Sequence, residues 1–191
     1  MKRVRAYVGL GSNVGDSRIT LRNAVRALAA LPGVRLRGVS RLYRTQPVGV
    51  MGQPDFLNAV AVLDVPAGPD PETGALAFLG ALKQIEAALG RQPREHWGPR
   101  EIDLDLLLFG RHQIKTERPE GRWLEVPHPL ARERLFVLAP MADLAPGLRP
   151  PGWGESVSGV WRRRTAAEQP DAVVIVGSWD DAGSGWRDLP R

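Results

Sequence analysis

Interleaved strand-like and helix-like segments predict an α+β fold whose sheet is mainly antiparallel, with helices packed on it. The segments follow the order βαββαβ, which is close to a ferredoxin-like plan. The chain has 191 residues, 43% of them hydrophobic, so it can bury a core without disulfides or a structural metal. It contains no cysteine, which excludes thiolate metal sites and thiol chemistry.

The first half of the chain predicts three strands and one helix. Residues 4–10 alternate as a strand does, and a glycine-containing loop follows them. Asp16 or Ser17 can cap the next helix, because a short polar side chain accepts from its free amides. The apolar face of that helix holds Leu21, Ala24, Val25 and Leu28. Further strands are predicted at 34–43 and 56–65.

The second half begins with a helix opened by Asp70 and Pro71, since proline fits the first helical position. Its apolar stripe is Leu79, Leu82, Ile85 and Leu89, and Gly90 ends it. The remaining predicted elements are a strand at 102–109, a hairpin return at 113–116, short helices within 130–143 and a strand at 172–177.

Composition changes after Pro150, which predicts a domain at 1–150 and a C-terminal extension of unknown role at 151–191. The extension holds four of the six tryptophans and no lysine. Its run of three arginines, 162–164, is most simply a solvated face.

The net charge of +5, with arginine supplying all but three of 26 basic residues, favours a polyanionic partner, nucleotide or nucleic acid. Apolar runs such as 104–109 are too short to span a membrane. The first residues lead into a strand and not into a signal-peptide core. We therefore expect a cytoplasmic protein with no membrane partner.

Asp103 and Asp105 are the strongest functional signal. Side chains alternate along a strand, so both carboxylates lie on one face, while Leu104, Leu106 and Leu108 take the other. Paired carboxylates repel each other and are costly to desolvate, and a divalent cation such as Mg²⁺ removes that cost. The alternative is an exposed strand face with solvated aspartates.

Arg91, Arg94, Trp97 and Arg100 lie just upstream of this pair. Arginines beside a two-carboxylate metal site are typical of phosphoryl transfer. Alternatively, these arginines only pair with neighbouring acidic residues. His128, between two prolines, is either a structural loop residue or a phosphate contact. The glycines at 9, 11 and 15 do not fit the dinucleotide-binding fingerprint.

The chain resembles the 6-hydroxymethyl-7,8-dihydropterin pyrophosphokinases of folate synthesis over roughly residues 5–148. The most specific motif is Trp97-Gly98-Pro99-Arg100-x-x-Asp103-x-Asp105, combined with Gly11-Ser12-Asn13. The other matching segments are 40–47, 53–58, 85–91, 126–128 and 134–138.

The resemblance implies transfer of pyrophosphate from ATP, the co-substrate, to the pterin's hydroxymethyl group, with release of AMP. It implies catalytic roles for Arg91, Arg100, Asp103 and Asp105, the two aspartates binding two Mg²⁺ ions. It implies ATP contacts from Arg94, Trp97, Leu106, His128 and Arg134. It implies pterin contacts from Thr45, Val48, Phe56, Asn58 and Phe136. Arg118 and Arg122 are rival candidates for one further phosphate contact.

Two other functions compete with this one. A nucleic-acid-binding module would use the arginines and tryptophans but leaves the acidic pair unexplained, because it would repel a phosphate backbone. A magnesium-dependent phosphohydrolase would use water as the acceptor. We expect ATP and the pterin as partners, no nucleic acid, and a monomer.

Overall fold

A computed structural model describes residues 2–47, 52–93, 98–117, 123–167 and 172–189. Its strands are β1 Arg3–Ser12, β2 Arg35–Val39, β3 Leu42–Thr45, β4 Phe56–Pro66, β5 Asp103–Phe109, β6 Ile114–Glu117, β7 Trp123–Val126, β8 Val174–Asp180 and β9 Gly185–Arg187. Its helices are α1 Ser17–Ala30, α2 Pro71–Ala88, α3 Leu135–Leu144 and α4 Val157–Thr165.

Seven strands form one antiparallel sheet in the order β5-β1-β4-β3-β8-β9, with β2 also pairing with β4. The two strands β6 and β7 pair in a separate small sheet. The predicted α+β fold with a mainly antiparallel sheet is confirmed.

Both long helices begin at the aspartate that the sequence indicated. The Asp16 carboxylate accepts from the Ile19 amide at 3.0 Å, and the Asp70 carboxylate accepts from the Thr73 amide at 2.9 Å. Each bond satisfies an amide that has no partner within its helix. Pro71 follows as the first residue of α2.

Two of the predicted strands differ in the structure. The strand predicted at 34–43 is interrupted at Ser40, whose amide and hydroxyl both bond to the main chain of Val60. This side-chain bond replaces a regular ladder and separates β2 from β3. The return strand predicted at 113–116 does not form a hairpin with β5, because β6 pairs with β7 instead.

The sheet separates two buried clusters. Helices α1 and α2 cover one face, where Val8, Leu104 and Leu106 lie in the core, and α3 and α4 cover part of the other. A register shift between Tyr7 and Val8 interrupts the alternation, so Leu108 packs on the α3 side and not on the α2 side as predicted. Asp103 and Asp105 therefore project from the face that α1 and α2 leave uncovered.

Residues beyond 150 join the same sheet. Strand β8 pairs with β3, and β9 pairs with β8. Trp186 of β9 is only 7% exposed, lies in the α1 core, and donates from Nε1 to the Ser40 carbonyl at 2.9 Å. The extension thus supplies core to the preceding fold, while its division from residues 1–150 as a separate unit stays a prediction. Among the helices in the described ranges, none is long and apolar enough to cross a membrane.

We expect Trp186→Ala to lower the free energy of unfolding by about 3–5 kcal/mol, because it removes a buried ring and a buried hydrogen bond. Urea denaturation followed by circular dichroism measures the change. Leu189→Ala is the matched control, since Leu189 lies in the same segment but is 40% exposed. Equal midpoints for the two variants would contradict a core role for the extension.

Candidate active site

A cavity of about 320 Å³ opens on the sheet face that carries the two aspartates. Its floor includes Gly9 and Gly11 of β1, which lie opposite Asp105 and Asp103 in the strand pairing. A Cβ atom at Gly11 would lie 3.2 Å from Asn58 Oδ1, which is tighter than ordinary contact. These glycines therefore sit inside a strand, where they leave room for a ligand above the sheet.

Asp103 is held by two arginines. Arg91 Nη1 donates to Asp103 Oδ1, and Arg100 Nη1 donates to Asp103 Oδ2 at 2.5 Å. Burial acts to raise the pKa of Asp103, but the positive charges of Arg100 and Arg91 together outweigh it and hold that pKa below its usual value. Asp103 is thus a stable carboxylate.

Asp105 has the opposite electrostatic environment, although it is only two residues away. Burial raises the pKa of Asp105, and the charge of Asp103 raises it further, against smaller opposing effects of His128, Lys83 and Arg134. A negative charge at this position is therefore unfavourable in the free protein. A cation bound at the pair would remove that cost.

Glu86 of α2 holds Arg91 behind this pair, and it was not among the predicted site residues. It is 3% exposed, and its Oε1 accepts from Arg91 Nη1 at 2.6 Å, from Lys83 Nζ at 2.8 Å and from the Leu104 amide at 2.6 Å. Burial raises the pKa of Glu86, while Lys83 opposes that effect. The available signal was a carboxylate on the apolar stripe of α2, between Leu82 and Leu89.

Asn13 positions Arg100 through the main chain. Its Oδ1 accepts from the Arg100 amide at 2.8 Å, and its own amide donates to the Arg100 carbonyl at 3.0 Å. Its Nδ2 donates to the Pro54 carbonyl at 3.0 Å and to Gln53 Oε1 at 3.1 Å. The buried Asn13 therefore connects the end of β1 to Arg100 and to the segment that precedes β4.

His128 and Arg134 bring polar donors to the cavity wall. The His128 amide donates to the Leu107 carbonyl at 2.9 Å, and His128 Nδ1 accepts from the Leu130 amide at 3.2 Å. Burial lowers the pKa of His128, although Asp105 opposes this. A neutral ring that accepts at Nδ1 carries its proton on Nε2, so Nε2 is the donor that it offers. The Arg134 guanidinium lies 5.5 Å from the centroid of the Phe136 ring.

The cavity also has an aromatic and neutral part in its lining. Phe56 and Asn58 of β4 and Thr45 of β3 lie across β1 from the acidic pair, and Gln46 and Phe136 line the cavity as well. Asn58 Nδ2 donates to Thr45 Oγ1 at 2.8 Å, and both residues are 5% exposed. Gln46 was not among the predicted contacts.

The structure brings most of the predicted site residues together. Those that line the cavity are Thr45, Phe56, Asn58, Arg100, Asp103, Asp105, His128, Arg134 and Phe136. Arg91 lies behind Asp103, bonded to it and to Glu86. Leu106 is buried on the opposite face of the sheet, within the α1–α2 core, so its side chain does not reach the cavity. Val48, Arg94, Trp97, Arg118 and Arg122 lie outside the described residues.

The sequence model of the 7,8-dihydro-6-hydroxymethylpterin-pyrophosphokinase (HPPK) family matches residues 7–146. The chain belongs to this family. The 2-amino-4-hydroxy-6-hydroxymethyldihydropteridine pyrophosphokinase of Methylorubrum extorquens is 45% identical over 144 residues, covering 75% of this chain and 84% of the relative. The protein of the same name from Bacillus subtilis is 44% identical over 139 residues, covering 73% of this chain and 77% of the relative. The predictions of an enzyme and of its HPPK family are confirmed.

Solved HPPK-DHPS structures share the fold of this chain. Wild-type HPPK-DHPS from Plasmodium falciparum aligns with a TM-score of 0.75 and 14% identity, over 98% of this chain and 50% of the other. An HPPK-DHPS solved in complex with substrates aligns with a TM-score of 0.73 and 13% identity over a similar share. This chain therefore spans about half the length of those chains, and at such low identity the likeness concerns the fold alone.

The two aspartates of this HPPK chain should have opposite effects on stability. In magnesium-free buffer at neutral pH, we expect Asp105→Asn to raise the free energy of unfolding, because it removes a buried carboxyl group whose ionisation is unfavourable. We expect Asp103→Asn to lower it by about 1.5–3 kcal/mol, because it removes the negative charge and one of the two oxygens that accept from Arg91 and Arg100. Urea denaturation measures both changes.

The pH dependence follows from the two pKa shifts. The folded-state pKa of Asp105 is raised, so its destabilising effect develops as pH rises through the unfolded value of about 3.9. The folded-state pKa of Asp103 is lowered, so its stabilising effect is complete above that value and is lost as pH falls. The gain from Asp105→Asn should therefore shrink in acid. Destabilisation by both variants at neutral pH would refute this assignment of charges.

Proposed function

We propose that this chain transfers pyrophosphate from MgATP to the hydroxymethyl group of 6-hydroxymethyl-7,8-dihydropterin, giving the pterin diphosphate and AMP in folate biosynthesis. The observation that carries the proposal is one cavity lined by both charged and aromatic side chains. Asp103, Asp105 and Arg100 line it together with Phe56 and Phe136, and β1 separates the acidic pair on β5 from Phe56 on β4. Family membership supports the same reaction.

The donor set fits magnesium. Asp103 and Asp105 offer hard carboxylate oxygens, and within the described ranges no third acidic or histidine side chain joins them in a metal-binding cluster. Mg²⁺ characteristically takes one or two carboxylates and completes its shell with phosphate oxygens and water. We propose that the pair holds two Mg²⁺ ions, which when bound neutralise charge on the triphosphate.

The cationic and imidazole groups would hold the triphosphate of ATP. Arg100 and Arg134 supply guanidinium donors, which suit phosphate oxygens, and His128 supplies the Nε2 hydrogen. Arg91 would keep its place through Glu86 while it opposes the charge that develops during transfer. Arg94 and Trp97 are proposed as further ATP contacts on the resemblance alone, and Leu106 only through its main chain, since its side chain lies in the α1–α2 core.

The aromatic and uncharged part of the cavity lining suits a flat heterocycle. Phe56 and Phe136 would stack on the pterin ring, because aromatic faces favour offset contact with other flat rings. Since Asn58 Nδ2 is bonded to Thr45, the Asn58 amide is held with Oδ1 as its acceptor for the pterin edge. The Thr45 and Val48 main chain is proposed to complete recognition of that edge.

The reaction forms a bond from the pterin hydroxyl oxygen to the β-phosphorus of ATP and breaks the bond between that phosphorus and the oxygen bridging it to the α-phosphorus. AMP leaves with the bridging oxygen, and the hydroxyl proton passes to solvent. We infer further that the enzyme acts in the cytoplasm as a monomer.

The decisive test measures AMP release from MgATP with and without the reduced pterin. We expect AMP only when the pterin is present, together with one pterin diphosphate per AMP. AMP or ADP formed equally without pterin would instead identify a phosphohydrolase. Asp103→Ala and Asp105→Ala should each abolish turnover.

Arg100→Ala should lower kcat by about 100-fold, because a donor aimed at developing charge contributes more to the transition state than to the ground state. The dissociation constant for MgATP, measured by calorimetry, should change much less. Arg26→Ala is the matched control, since Arg26 is exposed on the far face of α1. If kcat is retained and only nucleotide binding weakens, Arg100 positions ATP and takes no part in the transfer step.

A further inference from the structure

Helix α4 lies beyond the region that the family model matches, yet it packs against α3 on the side of the sheet that holds the cavity. Ala131 of the turn before α3 is fully buried in the same cluster as Val157 and Val160 of α4. The sequence indicated that the three arginines of α4, at 162–164, form a solvated face, and this holds for only two of them. Arg162 and Arg163 are exposed, whereas Arg164 is half-buried.

Arg164 reaches from α4 to the turn that joins His128 to Arg134. Its Nη2 donates to the Glu133 carbonyl at 2.6 Å. The turn itself is closed by main-chain bonds from the Ala131 amide to the His128 carbonyl at 3.0 Å and from the Glu133 amide to the Leu130 carbonyl at 3.1 Å. One end of this turn carries His128 and the other carries Arg134, and both line the cavity.

The Glu133 carbonyl is a sensitive point at which to hold this turn. Its oxygen belongs to the same planar peptide unit as the Arg134 amide nitrogen, so a bond that fixes the oxygen also fixes the plane from which the Arg134 side chain departs. Glu155 adds a second connection, since it accepts from Arg163 at 2.5 Å and from Arg132 at 3.3 Å. The C-terminal segment therefore bonds to this turn at two residues, Glu133 and Arg132, neither of which lines the cavity.

Arg134 needs such support because its surroundings are electrostatically mixed. Burial opposes the charge of its guanidinium, the acidic pair attracts it, and Arg100 repels it. A main chain that is held in place limits the directions that such a side chain can take.

We propose that Arg164 is a positioning residue for the nucleotide: by holding the Glu133 carbonyl, it orients Arg134 toward the ATP phosphates without touching them. The inference rests on the proposed function, since it takes the ligand of Arg134 to be ATP. It assigns the C-terminal extension a role in nucleotide binding.

The test compares Arg164→Gln with Arg162→Gln. Arg162 is the matched control, since it lies in the same helical turn and is exposed, and its Nε donates within α4, to the Ser158 carbonyl at 3.3 Å. Calorimetry measures the dissociation constants for a non-hydrolysable MgATP analogue and for the pterin. We expect Arg164→Gln to weaken nucleotide binding about tenfold and to leave pterin binding unchanged. Arg164→Lys, which keeps a cationic donor, should restore most of the affinity.

A double-mutant cycle separates positioning from general stability. If Arg164 acts through Arg134, then Arg134→Ala and Arg134→Ala/Arg164→Gln should bind nucleotide equally weakly. Additive losses would overturn the proposal. So would equal weakening for both ligands with a lower urea midpoint, or affinities for Arg164→Gln that match those of Arg162→Gln.

The outcome also distinguishes this inference from the proposed function. If the wild-type chain binds the nucleotide but releases no AMP with the pterin, the proposed reaction fails while the positioning role is still measured by binding. If the wild-type chain transfers pyrophosphate and Arg164→Gln binds nucleotide as the wild type does, only the positioning role fails.

Discussion

Two carboxylates two residues apart on a half-buried strand constrain the rest of this molecule. Both project from the uncovered face of β5, and their mutual repulsion in a desolvated position must be offset. The protein itself compensates the negative charge of only one of these carboxylates. Arg91 and Arg100 pair with Asp103, while a negative charge on Asp105 stays unfavourable unless a cation binds.

The two arginines that pair with Asp103 are themselves held in place by other residues, which lie on α2 and at the end of β1. Glu86 holds Arg91 from α2, and its third bond, from the Leu104 amide, ties the same carboxylate to β5. Asn13 holds the main chain of Arg100 from the end of β1. Each of these two arginines is therefore oriented by a buried polar residue that does not itself carry the chemistry, as preorganised sites require.

The sheet makes room for the ligands by dividing its two faces. Helices α1 and α2 bury one face, which forms the larger of the two buried clusters. On the other face, α3 and α4 cover only part of the sheet, and glycines in β1 leave the rest open. The C-terminal segment contributes to both regions: Trp186 packs in the core, and Arg164 bonds to the turn beside the cavity.

The sequence did not predict β7, α4 or β9, and it left Asp16 and Ser17 as alternative caps of α1. By itself it determined the order of elements from β1 to β5 except the division between β2 and β3, the start of α2 at Asp70, the shared face of Asp103 and Asp105, and the family. These follow from local rules, since capping, strand alternation and motif spacing involve residues close in the chain. The same rules led to errors where a distant partner intervened. Ser40 bonds to Val60 and divides a predicted strand, and β6 pairs with β7 in place of β5.

Only the tertiary structure decided which polar residues support the site. Glu86 reads as one charge on an apolar helix face until the fold brings it against Arg91 and Leu104. Arg164 reads as part of a solvated run until α4 packs beside the turn at Glu133. Such contacts join residues far apart in the chain, and no local pattern encodes which long-range partner a buried charge will meet.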